Sequence, residues 1–156
     1  MGIIANRYSV LTRAVHFAGN VRTVRDLSSK VAGCFTALEA LLCNGDKRVK
    51  EQLATRIAML LGNTPGDQRR LYDSVRRLYK VRCEYVHGLA SDRSGKSIRK
   101  ASVEVAGILR DVIRHEVGVT GDRSVRLNRL SGRWKSTHGQ SKANSRKKAA
   151  RRKRSR

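Results

Sequence analysis

The chain has 156 residues, enough for one core-burying domain with an extension and too few for two full domains. Thirty-five Lys and Arg against twelve Asp and Glu leave a net charge of +23. That excess repels itself in a compact monomer and calls for a polyanionic partner, nucleic acid more often than an anionic membrane or an acidic protein.

Three cysteines, Cys34, Cys43 and Cys83, are odd in number and show neither CxxC spacing nor a nearby histidine in a ligand arrangement. They indicate no disulfide framework and no zinc site, and no metal or other cofactor is expected. The opening MGIIANRYSV lacks the apolar stretch of a signal peptide, and the longest mostly apolar run, Val31 to Cys43, falls short of the ~20 residues that span a bilayer. The expectation is an unexported protein of the reducing cytoplasm.

In chain order, apolar residues at helical spacing predict a first, shorter helix from about Asn6 to Ala18, ending near Gly19-Asn20. A second begins after Ser28-Ser29, either of which can cap it, carries Val31, Cys34, Phe35, Leu38, Leu41 and Leu42, and ends at Asn44-Gly45. The third uses Val49, Leu53, Ile57, Leu60 and Leu61 and stops at Gly62-Asn63 before Pro65, so the second and third are expected to pair as an antiparallel hairpin. The fourth runs from about Asp67 to Val86 on a stripe of Leu71, Val75, Leu78 and Tyr79, with Gly88 as its stop. After the polar loop from Ser91 to Ser97, a fifth carries Ile98, Ala101, Val105, Ile108, Leu109, Val112 and Ile113. No segment alternates apolar and polar residues as a strand does, so the fold class is an all-α bundle of four core helices behind a leading one.

Residues 119–156 differ in character. They hold fourteen of the Lys and Arg and only Asp122 in opposition, and thus +13 of the +23. With Val125, Leu127, Leu130 and Trp134 as their main apolar residues, they are expected to be a tail that is disordered when unbound. Within it, Arg146, Lys147, Lys148, Arg151, Arg152, Lys153 and Arg154 form a dense run suited to neutralising phosphates without reading sequence. The same run also reads as a solvated tail or a nuclear-import signal. Trp134, between Arg133 and Lys135, either stacks on a base or anchors the tail to the bundle.

The fourth helix holds an anomaly. At ~100° per residue, Val75, Leu78 and Arg82 all fall within about 40° of Leu71, so Arg82 sits on the apolar stripe. A guanidinium cannot shed its charge to escape burial, so Arg82 needs a carboxylate, a carbonyl, an anionic ligand or a subunit interface; Glu39 and Glu84 are the candidate carboxylates. His87 lies about 140° around and about 7.5 Å along from Arg82 in an ideal helix, and reaches the same site only if the chain turns at Gly88.

The run Leu78-Tyr79-Lys80-Val81-Arg82-Cys83-Glu84-Tyr85-Val86-His87-Gly88 resembles the signature of the HEPN superfamily, in which four to six residues separate an Arg from a His. More narrowly it is similar to the Apea-like HEPN branch, with a leucine-tyrosine pair before the arginine, a β-branched residue before the histidine and a glycine after it. Phe35-Thr36-Ala37-Leu38-Glu39-Ala40-Leu41-Leu42 is similar to that branch's earlier helix. The resemblance implies a HEPN-type bundle over residues 5–118 and a metal-independent endoribonuclease of the toxin or defence type. It implies a homodimer whose two Arg-His pairs share one cleft, and an antitoxin or other regulatory protein as a further partner. His87 would be the acid/base and Arg82 the phosphate-stabilising group, with Glu39, Tyr79 and Glu84 in support. Cys83 departs from the pattern, since active members commonly carry a polar residue after the arginine. A catalytically silent HEPN domain that binds RNA or another nucleic acid through the tail is the alternative expectation, and a module that recruits a protein partner is a third.

Overall fold

The computed structural model describes residues 2–45, 47–87, 95–117, 119 and 121–154, and the side chains of those between 10 and 138. Among the described residues six helices follow in order: α1 Gly2–Thr23, α2 Leu27–Leu42, α3 Val49–Leu61, α4 Pro65–Val86, α5 Gly95–Val117 and α6 Arg123–Arg154. Among the described residues there is no strand.

Local chemistry sets most helix ends. Asp26, rather than Ser28 or Ser29, caps α2 by accepting a hydrogen bond from Ser29 N at 2.6 Å. Thr64 and Asp67 form a reciprocal capping box, with Pro65 at the first position of α4, where a missing N–H costs nothing. The stop expected at Gly19-Asn20 does not occur, and α1 continues to Thr23. Both residues are exposed, while Val21 beyond them packs so closely on α2 that a Cβ at Gly33 would meet Val21 Cγ2 at 2.6 Å. Tertiary contact thus overrides a weak local breaker.

Helix α2 lies at the centre, with buried residues facing several directions: Val31, Cys34, Phe35, Ala37, Leu38, Leu41 and Leu42. Helices α1 and α5 pack most extensively on it. The expected α2–α3 hairpin is a minor contact, because α3 packs mainly against α4 on one side and α6 on the other. Leu53 and Ile57 of α3, Val75 and Leu78 of α4, and Val105 and Val112 of α5 complete one continuous core.

The largest departure from expectation is α6. Residues from 119 onward, for which the sequence predicts a disordered tail, include a helix whose first turns belong to the bundle: Leu127 is fully buried, Leu130 nearly so, and Trp134 packs on the core. Leu127, Leu130 and Trp134, at i, i+3 and i+7, form a narrow apolar stripe, and two arginines anchor the start of the helix. Arg123 donates to the carbonyls of Ala40, Leu41 and Cys43 at 2.8, 3.1 and 2.7 Å. Arg126 holds both carboxylate oxygens of the buried Glu116. The positive φ of Gly121, +99°, allows the turn that precedes them.

Arg56 of α3, 3% exposed, completes the same junction. It donates to Leu42 O, Asn44 Oδ1, Gln52 Oε1 and Ser131 Oγ. Arg56 and Arg123 together satisfy the four carbonyls that α2 leaves free at its C-terminus, where positive charge is also favoured by the helix dipole. Burial lowers the pKa of both guanidinium groups from the ordinary arginine value.

Candidate functional site

The two segments singled out in the sequence meet across α2 and α4. Phe35 and Tyr79 pack edge to face, with ring centroids 5.2 Å apart and planes at 83°. Beside them, Arg82 Nη2 lies 3.4 Å from Glu39 Oε1, and its guanidinium carbon stands 5.2 Å from the centre of the Tyr79 ring. Of the two carboxylates open to Arg82, Glu39 is the one that pairs. Glu84 lies 3.8 Å from Lys80, one helical turn back.

The pair is about three-quarters buried on each side. Arg82 Nε is buried and donates to no atom of the described residues, and Glu39 Oε1 accepts no hydrogen bond among them. The contact is therefore an ion pair without hydrogen-bond geometry, and the guanidinium keeps a donor for another group. Burial, reinforced by the Glu39 carboxylate and opposed by Arg82, pushes the Tyr79 phenol up to about 12. Tyr79 is thus a neutral neighbour of the pair.

His87 is the C-cap of α4 and is exposed. Its backbone leaves the helical region, at φ −93° and ψ 10°, while its N–H still bonds to Cys83 O at 3.1 Å. Helix α4 runs unbroken to Val86, and no hydrogen bond or ion pair joins His87 to Arg82 among the described residues. They stand on the last turns of one helix, about 140° apart by helix geometry. Gly88, on which their convergence depends, lies outside the described residues. Tyr85 Oη and Ser29 Oγ, 2.9 Å apart, tie this end of α4 to the first turn of α2.

The basic segment divides into parts with different roles. Trp134 stacks between Tyr72 of α4 and His138, at centroid distances of 4.6 and 3.8 Å, so it anchors α6 to the bundle. Arg69 and Arg76 stand over the Tyr72 ring, at 5.8 and 5.5 Å. Arg133 and Lys135 are exposed on either side of Trp134. The side chains of Arg146, Lys147, Lys148, Arg151, Arg152, Lys153 and Arg154 lie outside the described residues, although the helix continues through them.

Arg56 escaped the sequence reading although the signal that marked Arg82 applies to it equally, since it sits beside Ile57 at the edge of the α3 apolar stripe. All three cysteines are free, and burial pushes Cys34 and Cys43 up to about 11, which suits packing rather than nucleophilic chemistry. Among the described residues no group of His, Cys, Asp and Glu is placed to hold a metal ion, and no helix is long and apolar enough to cross a membrane. Comparison with family models, curated proteins and solved structures finds no match.

Proposed function

We propose that the protein is a HEPN-type, metal-independent endoribonuclease of the toxin or defence class, acting as a homodimer. The observation that supports this most is the meeting of the two HEPN-like segments. Separated by some forty residues in the chain, they touch through Phe35–Tyr79 and Glu39–Arg82, with the exposed His87 at the end of the same helix.

In this reading the His87 imidazole takes the proton from a ribose 2′-hydroxyl. The 2′-oxygen forms a bond to phosphorus, the bond from phosphorus to the 5′-oxygen breaks, and that oxygen takes up a proton. Arg82 offers its guanidinium to the phosphate oxygens as charge builds on them, and Glu39 and Tyr79 position it. The products are a 2′,3′-cyclic phosphate and a 5′-hydroxyl. No hydrogen bond or ion pair joins Arg82 to His87 among the described residues, and in this reading a second copy faces the same RNA to complete the site. The basic C-terminal part of α6 raises the local RNA concentration through counterion release.

A second reading is a catalytically silent HEPN domain that binds nucleic acid. It draws on the engagement of Arg82 by Glu39 and Tyr79 and on Cys83 as the following residue. The discriminating experiment is His87→Ala, assayed for RNA cleavage, RNA affinity and helical content. Loss of cleavage with affinity and helicity unchanged is the expected result. Cleavage that survives removes His87 from the mechanism, and a wild-type protein that binds RNA but cleaves none establishes the second reading.

A further inference from the structure

An open cleft of about 280 Å³ lies between α3, α5 and α6. Its wall on α6 carries Arg126, Arg129 and Arg133, and His115 faces them from α5. Its floor is apolar, built from Met59, Leu60 and Leu130.

The three arginines are spaced three and four residues apart, so they stand in one column along the helix. Like charges at that spacing weaken a helix unless something of opposite sign offsets them. Arg126 is offset by Glu116, which it grips through both oxygens. Even so, its Nε is buried and donates to no atom of the described residues. Arg129 and Arg133 are exposed, and their side chains form no hydrogen bond or ion pair among the described residues. Among the described residues no carboxylate lines the cleft.

Two unpaired guanidinium forks above an apolar floor match an anion joined to a flat, apolar-faced group. The fork geometry fits phosphate oxygens in pairs. The floor suits the flat face of a base, which aliphatic side chains contact without reading its hydrogen-bonding edge. The volume lies at or below the small end of the usual range for ligand pockets, which allows one nucleotide and little more.

We propose that this cleft binds a phosphorylated nucleoside, free or as one residue of a single-stranded RNA, with its phosphate on Arg129 and Arg133 and its base on Met59 and Leu60. The site shares no residue with the Glu39–Arg82–His87 region and does not depend on the nuclease reading.

The test uses the full chain and two probes: adenosine monophosphate, and a short fluorescent RNA carrying 2′-O-methyl groups, which the proposed cleavage leaves intact. The chain has only two methionines, Met1 and Met59, so methyl labelling of methionine gives a direct reporter on the cleft floor. Arg129→Glu with Arg133→Glu is compared with Arg13→Glu with Arg22→Glu, an equal charge change at exposed sites on α1. The expected result is a shift of the Met59 methyl resonance on ligand addition and about a tenfold or greater loss of affinity in the α6 variant. The α1 variant is expected to lose about threefold or less. A response to adenosine monophosphate identifies a free nucleotide as sufficient, whereas a response to the RNA alone identifies a strand residue. A Met59 resonance unmoved by either probe in the wild type, or equal losses in the two variants, overturns the proposal.

Discussion

Replacing Arg56 by Met tests whether buried arginines hold the bundle together. Methionine keeps an unbranched apolar stem of similar course and removes the guanidinium. The Leu42 carbonyl then loses a donor in a buried setting, a cost of about 1–3 kcal/mol. The oxygens of Gln52, Asn44 and Ser131 lose theirs where water has partial access, at about 0.5–1 kcal/mol each. Release of the buried cation from its desolvation penalty offsets part of this sum. The net expectation is a loss of about 3 kcal/mol, or a fall of roughly 6–12 °C in Tm for a chain of this length. Urea denaturation followed by far-ultraviolet circular dichroism measures the first quantity and a thermal scan the second. A loss below about 1 kcal/mol, or a gain, refutes the reasoning, since it means that the desolvation cost of the cation cancels its hydrogen bonds.

Trp134 is the only tryptophan and reports on α6 directly. Its fluorescence is expected to change at the same urea concentration as the helical signal, and an earlier, separate transition would show that α6 is not part of the cooperative unit. Deleting residues 139–156, which removes nine Lys and Arg and no acid, is expected to weaken RNA binding and flatten its salt dependence without moving the unfolding midpoint. Unchanged binding excludes the segment from recognition. Tyr79 is expected to titrate near 12, as read by comparing ultraviolet titrations of wild type and Tyr79→Phe. Its folded pKa is raised above the unfolded value of about 10, so its contribution to stability is complete below pH ~10 and is lost as pH rises towards 12. An ordinary tyrosine titration at this position would contradict the packing described around it.

The elements legible in the sequence were those whose apolar stripe and terminators agree. Helix α3 lies between Asn44-Gly45 and Gly62-Pro65, and its stripe of Leu53, Ile57 and Leu60 leaves little choice of period. The stripe of α4 likewise placed Arg82 among apolar residues and restricted its partner to two carboxylates, of which Glu39 pairs with it.

What was not legible depended on long-range contact. The helix signal of α6 consists of three apolar residues among many charges, and its docking depends on Arg123 and Arg126, whose partners lie on α2 and α5. Counting those two arginines as free charge exaggerated the tail. A stop at Gly19-Asn20 was reasonable from local propensity but did not include the packing of Val21 on Gly33. The minor contact between α2 and α3 has the same origin, because consecutive helices pair only when neither has a better partner for its apolar face.

The central claim is cleavage by 2′-hydroxyl attack at a site formed by Arg82 and His87. The most direct measurement is the chemistry of the RNA ends produced by the wild-type protein in the presence of a metal chelator. The account predicts fragments ending in a 2′,3′-cyclic phosphate with 5′-hydroxyl partners, absent when either Arg82→Ala or His87→Ala replaces the wild type. Fragments carrying a 3′-hydroxyl and a 5′-phosphate, or RNA left intact by a protein that binds it, would contradict it.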